Sequence, residues 1–423
     1  MFTNEETKGI IRVGGKTEEI VQFILNRRTE VLQNFLAWDD QKIFCDEKLI
    51  ESLKFVLNDV RQGIYVLFRL GRPRLIVSMC NTFYKNTFVP IAKYVTGETY
   101  EERRKKRKNW VSWDRCWASN GILCTTPVDH DLGWGNGMLV DIRNTLENVS
   151  REHNIKDDEF FINRRDLPML KKDGTSCYSF AGAKNPKHQC FLKVYSLYQG
   201  KDWLDLPFIE PSTETKLKKV EWKKKKNTAF FRGSSTGVGT NAFSNKRIKL
   251  AKVASLHWHD EVFGEPLMDI GLVSLSRREK IVSVFEKYVL LDNDNIQHVP
   301  YLKEKVPIVE WSNWKYLIYA EGYSAALRFF PMLSSGSVII FIKGQSTANQ
   351  LWFFKYVKFI DSTNITDDGH VIFLENIEDL ENVLIFLRKN DTISEKIATN
   401  AYQLYKMLLK CRHKFLADEI NNN

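Results

Sequence analysis

Residues 314–329 read Trp314-Lys315-Tyr316-Leu317-Ile318-Tyr319-Ala320-Glu321-Gly322-Tyr323-Ser324-Ala325-Ala326-Leu327-Arg328-Phe329. The apolar run Tyr316–Tyr319 reads as a strand, and Gly322 marks the turn that follows it. Leu327, Phe329 and Phe330, with Ser324 as candidate N-cap, predict a helix over 324–333 that Gly336 ends. Ser337–Ile342 is then a second, β-rich strand. Strand, glycine turn, helix and strand form the repeating unit of a parallel sheet covered by helices. Small residues at the helix start would let a ligand approach free N–H groups, where the helix dipole favours an anion. Arg328, one turn beyond Ser324, would reach back toward that anion.

The same alternation extends in both directions. Thr228–Phe231 is a strand that runs into Arg232-Gly233-Ser234-Ser235-Thr236-Gly237, a loop whose backbone N–H groups suit phosphate. Arg232 could add a bidentate contact there. The loop lacks the Gly-Lys-Ser/Thr ending of a P-loop and is not a clean G-x-G-x-x-G. A helix over 245–255 follows, with Asn245 as cap; beyond 342 come a strand at Val371–Leu374 and helices over 377–387 and 392–409. The first part of the chain is mixed, with helical spacing over 17–35 and 47–61 and a strand at 63–70. In Phe160-Phe161-Ile162-Asn163-Arg164-Arg165-Asp166-Leu167-Pro168 an apolar strand leads to an aspartate. Pro168 holds Leu167 extended, which places Asp166 at a strand's carboxyl end, where α/β proteins build their sites.

The chain has 423 residues, enough for two or three domains. With 43% hydrophobic and 13% aromatic residues it is not a disordered protein. No apolar run is long enough to cross a bilayer, and the start, Met1-Phe2-Thr3-Asn4-Glu5-Glu6, lacks a secretory pattern. Seven cysteines without a C-x-x-C pair argue for buried thiols rather than zinc or a disulfide framework. The expectation is a cytoplasmic protein. A net charge of +10 is mild for this length; it suits a nucleotide diphosphate, an acidic glycan, nucleic acid or peripheral membrane contact. The basic runs Arg103–Lys108 and Lys223–Lys226 read as solvated segments.

Three segments, in this order, resemble glycosyltransferase family 90, the Rumi-type protein O-glucosyltransferases and fungal capsule-associated xylosyltransferases. They are Arg165-Asp166-Leu167-Pro168, Phe231-Arg232-Gly233-Ser234 and Lys315-Tyr316-Leu317 with Gly322 and Arg328-Phe329. The likeness covers about residues 155–410. It implies an α/β, GT-B-like fold of two Rossmann-like domains facing across a cleft, with C-terminal helices. The domains would be 1–220 on the acceptor side, 221–400 for the nucleotide sugar, and a 401–423 helix and tail. It implies inverting transfer of glucose or xylose from a UDP-sugar to a glycan or protein hydroxyl, with no metal and no other cofactor. By position Asp166 matches the general base. Arg232 and Arg328 match the arginines on the diphosphate, while Gly233, Ser234, Ser235, Gly322, Ser324, Ala325 and Ala326 would line the nucleotide. No specific nucleic-acid partner is implied. Leu167 replaces the family's aromatic, and Glu321 stands where Rumi-type members carry arginine. Without the family's secretory signal, a cytosolic glycan-building homologue, microbial or viral, is the better expectation.

Two rival signals stand beside this. Leu290-Leu291-Asp292-Asn293-Asp294 looks like the D-x-D of metal-dependent GT-A enzymes, in which Asp292 and Asp294 would hold the ion. The basic runs would instead suit a non-catalytic polyanion-binding protein, whose binding falls steeply with salt. His257-Trp258-His259-Asp260-Glu261 is rich in ligand atoms but lacks a third ligand at a recognisable spacing.

Overall fold

A computed structural model describes residues 5–7, 10–34, 46–60, 62–81, 136–163, 168–170, 172, 192–210, 217–239, 241–256, 261–262, 264–275, 279–281, 288–290 and 302–422. The chain divides into two compact units, Met1–Ser212 with Arg412–Asn423, and Thr213–Cys411. Both are α/β, the class that the sequence implies.

The first unit is built on a seven-stranded sheet. Its strands are β1 (Glu5–Thr7), β2 (Ile10–Gly15), β3 (Gln62–Arg69), β4 (Arg72–Asn81), β5 (Asp158–Ile162), β6 (Val194–Ser196) and β7 (Leu206–Pro207), in the order β1-β2-β4-β3-β5-β6-β7. The sheet is mixed: β2–β4, β5–β6 and β6–β7 are parallel, and the other pairs are antiparallel. Helices α1 (Thr17–Asn34), α2 (Asp46–Phe55) and α3 (Asn136–Glu152) accompany it, and a π-helical turn at Val56–Val60 extends α2. Ile20, Val21 and Ile24 recur at helical spacing on α1 and bury one face into the core with Leu53, Tyr65, Val77 and Phe161. Arg28 of the same helix reaches the interior, where its Nε and Nη2 donate to Glu159 at 2.9 and 3.1 Å. Tyr65 donates to the same carboxylate at 2.5 Å. This pairing satisfies a charge that would otherwise be costly to bury.

The second unit carries a six-stranded sheet of β8 (Lys226–Ser234), β11 (Met268–Ser274), β14 (Trp314–Tyr319), β15 (Val338–Ile342), β16 (Phe359–Asp361) and β17 (Val371–Leu374). The order is β11-β8-β14-β15-β17-β16, and every pair is parallel. Two short antiparallel ladders lie outside it, β9 (Glu261–Val262) with β10 (Glu265–Pro266), and β12 (Glu279–Ile281) with β13 (Tyr288–Leu290). The helices are α4 (Lys246–Leu256), α5 (Phe329–Leu333), α6 (Leu380–Lys389) and, as far as Cys411, α7 (Asp391–Asn422). Central strands buried on both faces read as continuous apolar runs, which is why β14 and β15 stand out in the sequence. One face packs Phe231, Ile318 and Ile340 against Leu250 of α4 and Leu380, Leu384 and Ile397 of α6 and α7. The opposite face is aromatic: Tyr319 and Phe341 stack at 4.6 Å, and Phe329 joins them.

Two expectations fail here. The helix predicted from Ser324 begins only at Phe329 and has five residues. Its missing turns are lost because the preceding amides bond elsewhere. Ala325 N donates to the Ala348 carbonyl at 2.9 Å and Ala326 N to the Tyr319 hydroxyl at 2.7 Å. The run Lys223–Lys226 is not wholly solvated either. Lys225 is buried, with Nζ donating to the Ser312 and Ser335 carbonyls and the Ser337 hydroxyl at 2.6–3.0 Å. Lys226 sits over the Trp314 ring at 4.7 Å.

Candidate active site

The order of the six-stranded sheet fixes where a ligand can lie. From β8 the chain crosses to β11 on one side, then returns past β8 to β14 on the other. Loops leaving β8 and β14 therefore diverge, and in open parallel sheets the crevice at such a reversal takes the ligand. The loops at this edge are Ser235–Gly239 after β8 and Ala320–Arg328 after β14. They hold Ser235, Gly322, Ser324, Ala325, Ala326 and Arg328 of the expected donor set; Arg232, Gly233 and Ser234, expected in the loop, are instead the last residues of β8, which runs three residues beyond Phe231.

The two loops touch. A Cβ placed on Gly237, at φ +113°, would meet the Gly322 carbonyl at 3.2 Å, and one on Gly322 would meet Thr236 Oγ1 at 3.2 Å. Gly233 is a glycine for another reason: a Cβ there would lie 2.8 Å from the Phe231 ring and 3.4 Å from Arg247 Nη1. Ser235 is buried and donates its amide to Ser274 at 3.0 Å, while Ser234 shares a 2.7 Å hydroxyl bond with Ser274. Ser324 and Ala325 are buried, and the Gly322 amide bonds the Ser324 carbonyl at 2.9 Å. The amides of Gly322, Ala325 and Ala326 are thus engaged inside the protein. Gly233, Ser234, Ser235 and Gly322 are brought together; Ser324, Ala325 and Ala326 shape the second loop.

The two expected arginines have different surroundings. Arg232 is buried, with Nη2 on Asp269 Oδ1 at 2.7 Å, Nη1 on the Asp269 carbonyl at 2.9 Å and Nε on the Glu304 carbonyl at 3.2 Å. Its guanidinium also covers the Phe230 ring at 4.7 Å. Burial alone would raise the Asp269 carboxyl, but Lys303 and Arg232 hold it below its ordinary range. Arg328, by contrast, makes one hydrogen bond, from Nη1 to the Arg232 carbonyl at 2.7 Å, and no ion pair among the described residues. It is half-buried, 5.6 Å from the Phe231 centroid and 5.4 Å from that of Trp311. Burial lowers its pKa, yet an arginine remains charged at neutral pH. An uncommitted guanidinium on two aromatic rings is a ready partner for an anion.

Two residues at this edge escaped sequence reasoning. Arg247, in the first turn of α4, is buried and spans both loops. Its Nε donates to the Glu321 carbonyl at 2.8 Å and its Nη2 to that of Ala320 at 3.0 Å. Its Nη1 donates to the Ser234 carbonyl at 3.0 Å and Thr236 Oγ1 at 2.6 Å. In sequence it is one of three bases in Lys246-Arg247-Ile248-Lys249. The available signal was Asn245, whose Oδ1 caps the helix by accepting the Arg247 and Ile248 amides at 3.1 and 3.0 Å. That cap places Arg247 in a first helical turn, which in a βα unit abuts the sheet's carboxyl edge. The second is Glu321, noted in the sequence only as a departure from the family. Its carboxylate accepts the Ser346 amide at 2.5 Å and the Gln345 amide, and sits against Gly344, where any Cβ would overlap it. Burial pushes its pKa up to about 7, against the two amides and Arg247 and Lys246.

Asp166, with Arg164, Arg165 and Leu167, lies outside the described residues, as do Arg103–Lys108, His257, His259, Asp292 and Asp294. What is described nearby is β5, ending at Ile162, and a buried network around Asp205. Asp205 accepts the Met169 and Leu170 amides and the Ser196 hydroxyl, and Ser196 accepts from Asn163 Nδ2 at 2.9 Å. Among the described residues no three His, Cys, Asp or Glu side chains are grouped to hold a metal ion, and no helix is long and apolar enough to cross a membrane.

Comparison with known proteins adds to this. The chain is similar to uncharacterized protein 035R of Invertebrate iridescent virus 3, 23% identical over 89% of this chain and 36% of that one. It is similar to protein 179R of Invertebrate iridescent virus 6, 24% identical over 85% of this chain and 35% of that one. The chain spans about a third of the length of these curated relatives. Among solved structures it has a likeness to TarM, with 12% identity and a TM-score of 0.32 over 54% of this chain and 43% of that one. A second is Anabaena Alr3699/HepE in complex with UDP and glucose, with 10% identity and a TM-score of 0.30 over 56% and 57%. The model of "Glycosyl transferase family 90" matches residues 141–413, a span that runs from α3 through both loops of the sheet edge and into α7. With well over half its length in that match, the chain belongs to glycosyltransferase family 90.

Proposed function

We propose that this protein transfers glucose or xylose from a UDP-sugar to a hydroxyl of a glycan or protein, in the cytoplasm, with inversion and without a metal ion. The observation that carries the reading is Arg328: in a chain of this family, a guanidinium with no carboxylate partner among the described residues lies at the reversal point of the parallel sheet. Asp166 would take the proton of the acceptor hydroxyl as its oxygen attacks the anomeric carbon. The bond to the UDP oxygen breaks on the opposite face, and Arg328 stabilises the charge that develops on the diphosphate. A fixed guanidinium supplies there what a divalent cation supplies in metal-dependent enzymes.

The test is a thermal-shift screen of nucleotide sugars followed by transfer or hydrolysis assays with the best one. Asp166→Asn should keep UDP binding and lose turnover. Activity should survive EDTA; loss with EDTA would turn attention to Asp292 and Asp294. Absence of any nucleotide-sugar binding would overturn the reading.

A further inference from the structure

The segment that enters β8, Leu217-Lys218-Lys219-Val220-Glu221-Trp222-Lys223-Lys224-Lys225-Lys226, carries six lysines and one acid. Every lysine but Lys225 is exposed, and Glu221 is taken by Lys224 at 2.9 Å. The segment is pinned to the amino edge of the six-stranded sheet. Leu217 is buried with its amide on Ser334 Oγ at 3.0 Å, and Lys225 bonds residues 312, 335 and 337, just ahead of β14 and β15. Burial, and then the charge of Lys219, lower the Lys225 pKa to about 7.

Helix α7 extends this charge. The Tyr402 ring has two ammonium groups over it, Lys219 at 5.1 Å and Lys406 at 5.3 Å from its centroid. Tyr402, Lys406 and Lys410 follow at four-residue spacing along one face of the helix, and Met407 and Leu409, apolar yet exposed, stand on either side of that row. Between Glu395 and Cys411 the helix has no acidic residue. Lys219, Lys406 and Lys410 form no ion pair among the described residues, whereas Lys343 and Lys358, exposed elsewhere on this unit, are answered by Glu375 and Asp368. Crowded cations without acids call for an external anion. A nucleic acid would take the lysines and leave Met407 and Leu409 in water. The surface of an anionic bilayer takes both, since its headgroups pair with lysine and its headgroup–acyl boundary accepts methionine, leucine and tyrosine.

We propose that the face formed by Lys219, Tyr402, Lys406, Met407, Leu409 and Lys410 docks the protein on an anionic lipid bilayer. The lysines draw it to the headgroups, and Met407 and Leu409 enter the boundary beneath them. The loops after β8 and β14 leave the opposite, carboxyl edge of the same sheet, so docking and donor binding use different edges. The proposal does not depend on the nucleotide-sugar reading.

Co-sedimentation with lipid vesicles tests this. Vesicles of phosphatidylcholine with about 30% phosphatidylserine should bind the protein at least about tenfold more tightly than phosphatidylcholine alone, and raising NaCl from about 0.1 M to about 0.5 M should remove most of that difference. The double variant Lys219→Gln with Lys406→Gln should lose at least about tenfold on the charged vesicles. The same charge change at Lys343→Gln with Lys358→Gln should alter binding by less than about threefold. Met407→Ser with Leu409→Ser leaves the charge intact and should lose at least about threefold. Equal affinity for the two vesicle types would overturn the proposal, as would wild-type affinity in the Lys219 and Lys406 variant. Unchanged affinity in the Met407 and Leu409 variant would overturn it too. A DNA duplex that binds more tightly than the charged vesicles, through the same two lysines, would assign the face to nucleic acid instead. UDP titration of the wild type separates the two readings: absence of UDP binding with vesicle binding intact would sink the nucleotide reading and leave this one standing.

Discussion

Arg328 Nη1 donates to the backbone carbonyl of Arg232 at 2.7 Å, so the two arginines meet through a main-chain oxygen rather than through a shared ligand. The bond fixes Arg328 by one of its two terminal nitrogens, and the rest of the fork makes no bond among the described residues. Arg328→Lys keeps a charge but cannot bond Arg232 and an anion in that geometry. The expected outcome is at least about a tenfold rise in the Kd for UDP. The melting temperature should move by no more than about 4 °C, since one hydrogen bond and two ring contacts are lost. Calorimetry and a thermal melt check both. Unchanged UDP affinity would remove Arg328 from the site.

Arg232 should behave the other way round. Its guanidinium bonds Asp269 and two backbone carbonyls besides the one of Phe231, and once it is gone Lys303 is the carboxylate's remaining cation among the described residues. Because Asp269 is 31% exposed, the loss is smaller than for a fully buried pair, about 2 kcal/mol. Arg232→Ala should therefore shift urea denaturation clearly, with UDP affinity falling only as far as Arg328 loses its rest. A stable Arg232→Ala protein with no UDP binding would show that the guanidinium itself faces the ligand.

These two residues also mark what the sequence could tell. Strands β14, β15 and β17 were legible because strands buried on both faces must be apolar throughout. The cap at Asn245 was legible because amide side chains in that place satisfy a helix's first N–H groups. The helix start at Ser324 was misread, since the partners that take the Ala326 and Ala325 amides, Tyr319 and Ala348, lie 7 and 23 residues away and show no local pattern. Nor does a motif say where a guanidinium turns. Asp269, 37 residues from Arg232, takes it, and only the pairing of β8 with β11 brings them together. Arg247 was hidden for the same reason: a buried arginine in a basic run looks like its solvated neighbours until the loops that close over it are placed.

Glu321 gives a pH signature of stability. Its native pKa of about 7 lies above the ordinary value of 4.5, so between these the native state holds more protons than the unfolded chain. Stability must then fall as pH rises from about 4.5 through about 7, by an amount on the order of 3 kcal/mol. The cause is burial, with Oε2 making no hydrogen bond among the described residues. Glu321→Gln keeps an acceptor for the Gln345 and Ser346 amides and removes the charge. Denaturation at pH 5 and pH 8 should show the wild-type difference shrinking in this variant. An equal difference in both proteins would place the titration elsewhere.

Asp205 couples the other unit's core to the segment that contains Asp166. Its carboxylate accepts the Met169 amide at 2.9 Å and the Leu170 amide at 2.7 Å, three and four residues after Asp166. Through the 2.5 Å bond from the Ser196 hydroxyl it also reaches Asn163, three residues before Asp166. The residues on either side of the segment that carries Asp166 are thus tied to one buried network, which is worth most when every member is satisfied. Asp205→Ala strands two amides and a hydroxyl and should cost about 3 kcal/mol. Ser196→Ala removes two bonds, its own to Asp205 and the one it accepts from Asn163, and should cost about 2 kcal/mol. If Asp166 is the base, Ser196→Ala should lower kcat by at least about threefold at unchanged donor KM, because a slight misplacement of a base slows the chemical step without touching the donor. Steady-state kinetics separates the two effects: a KM change at constant kcat would assign the Ser196 network to donor binding and take Asp166 out of the proton-transfer step.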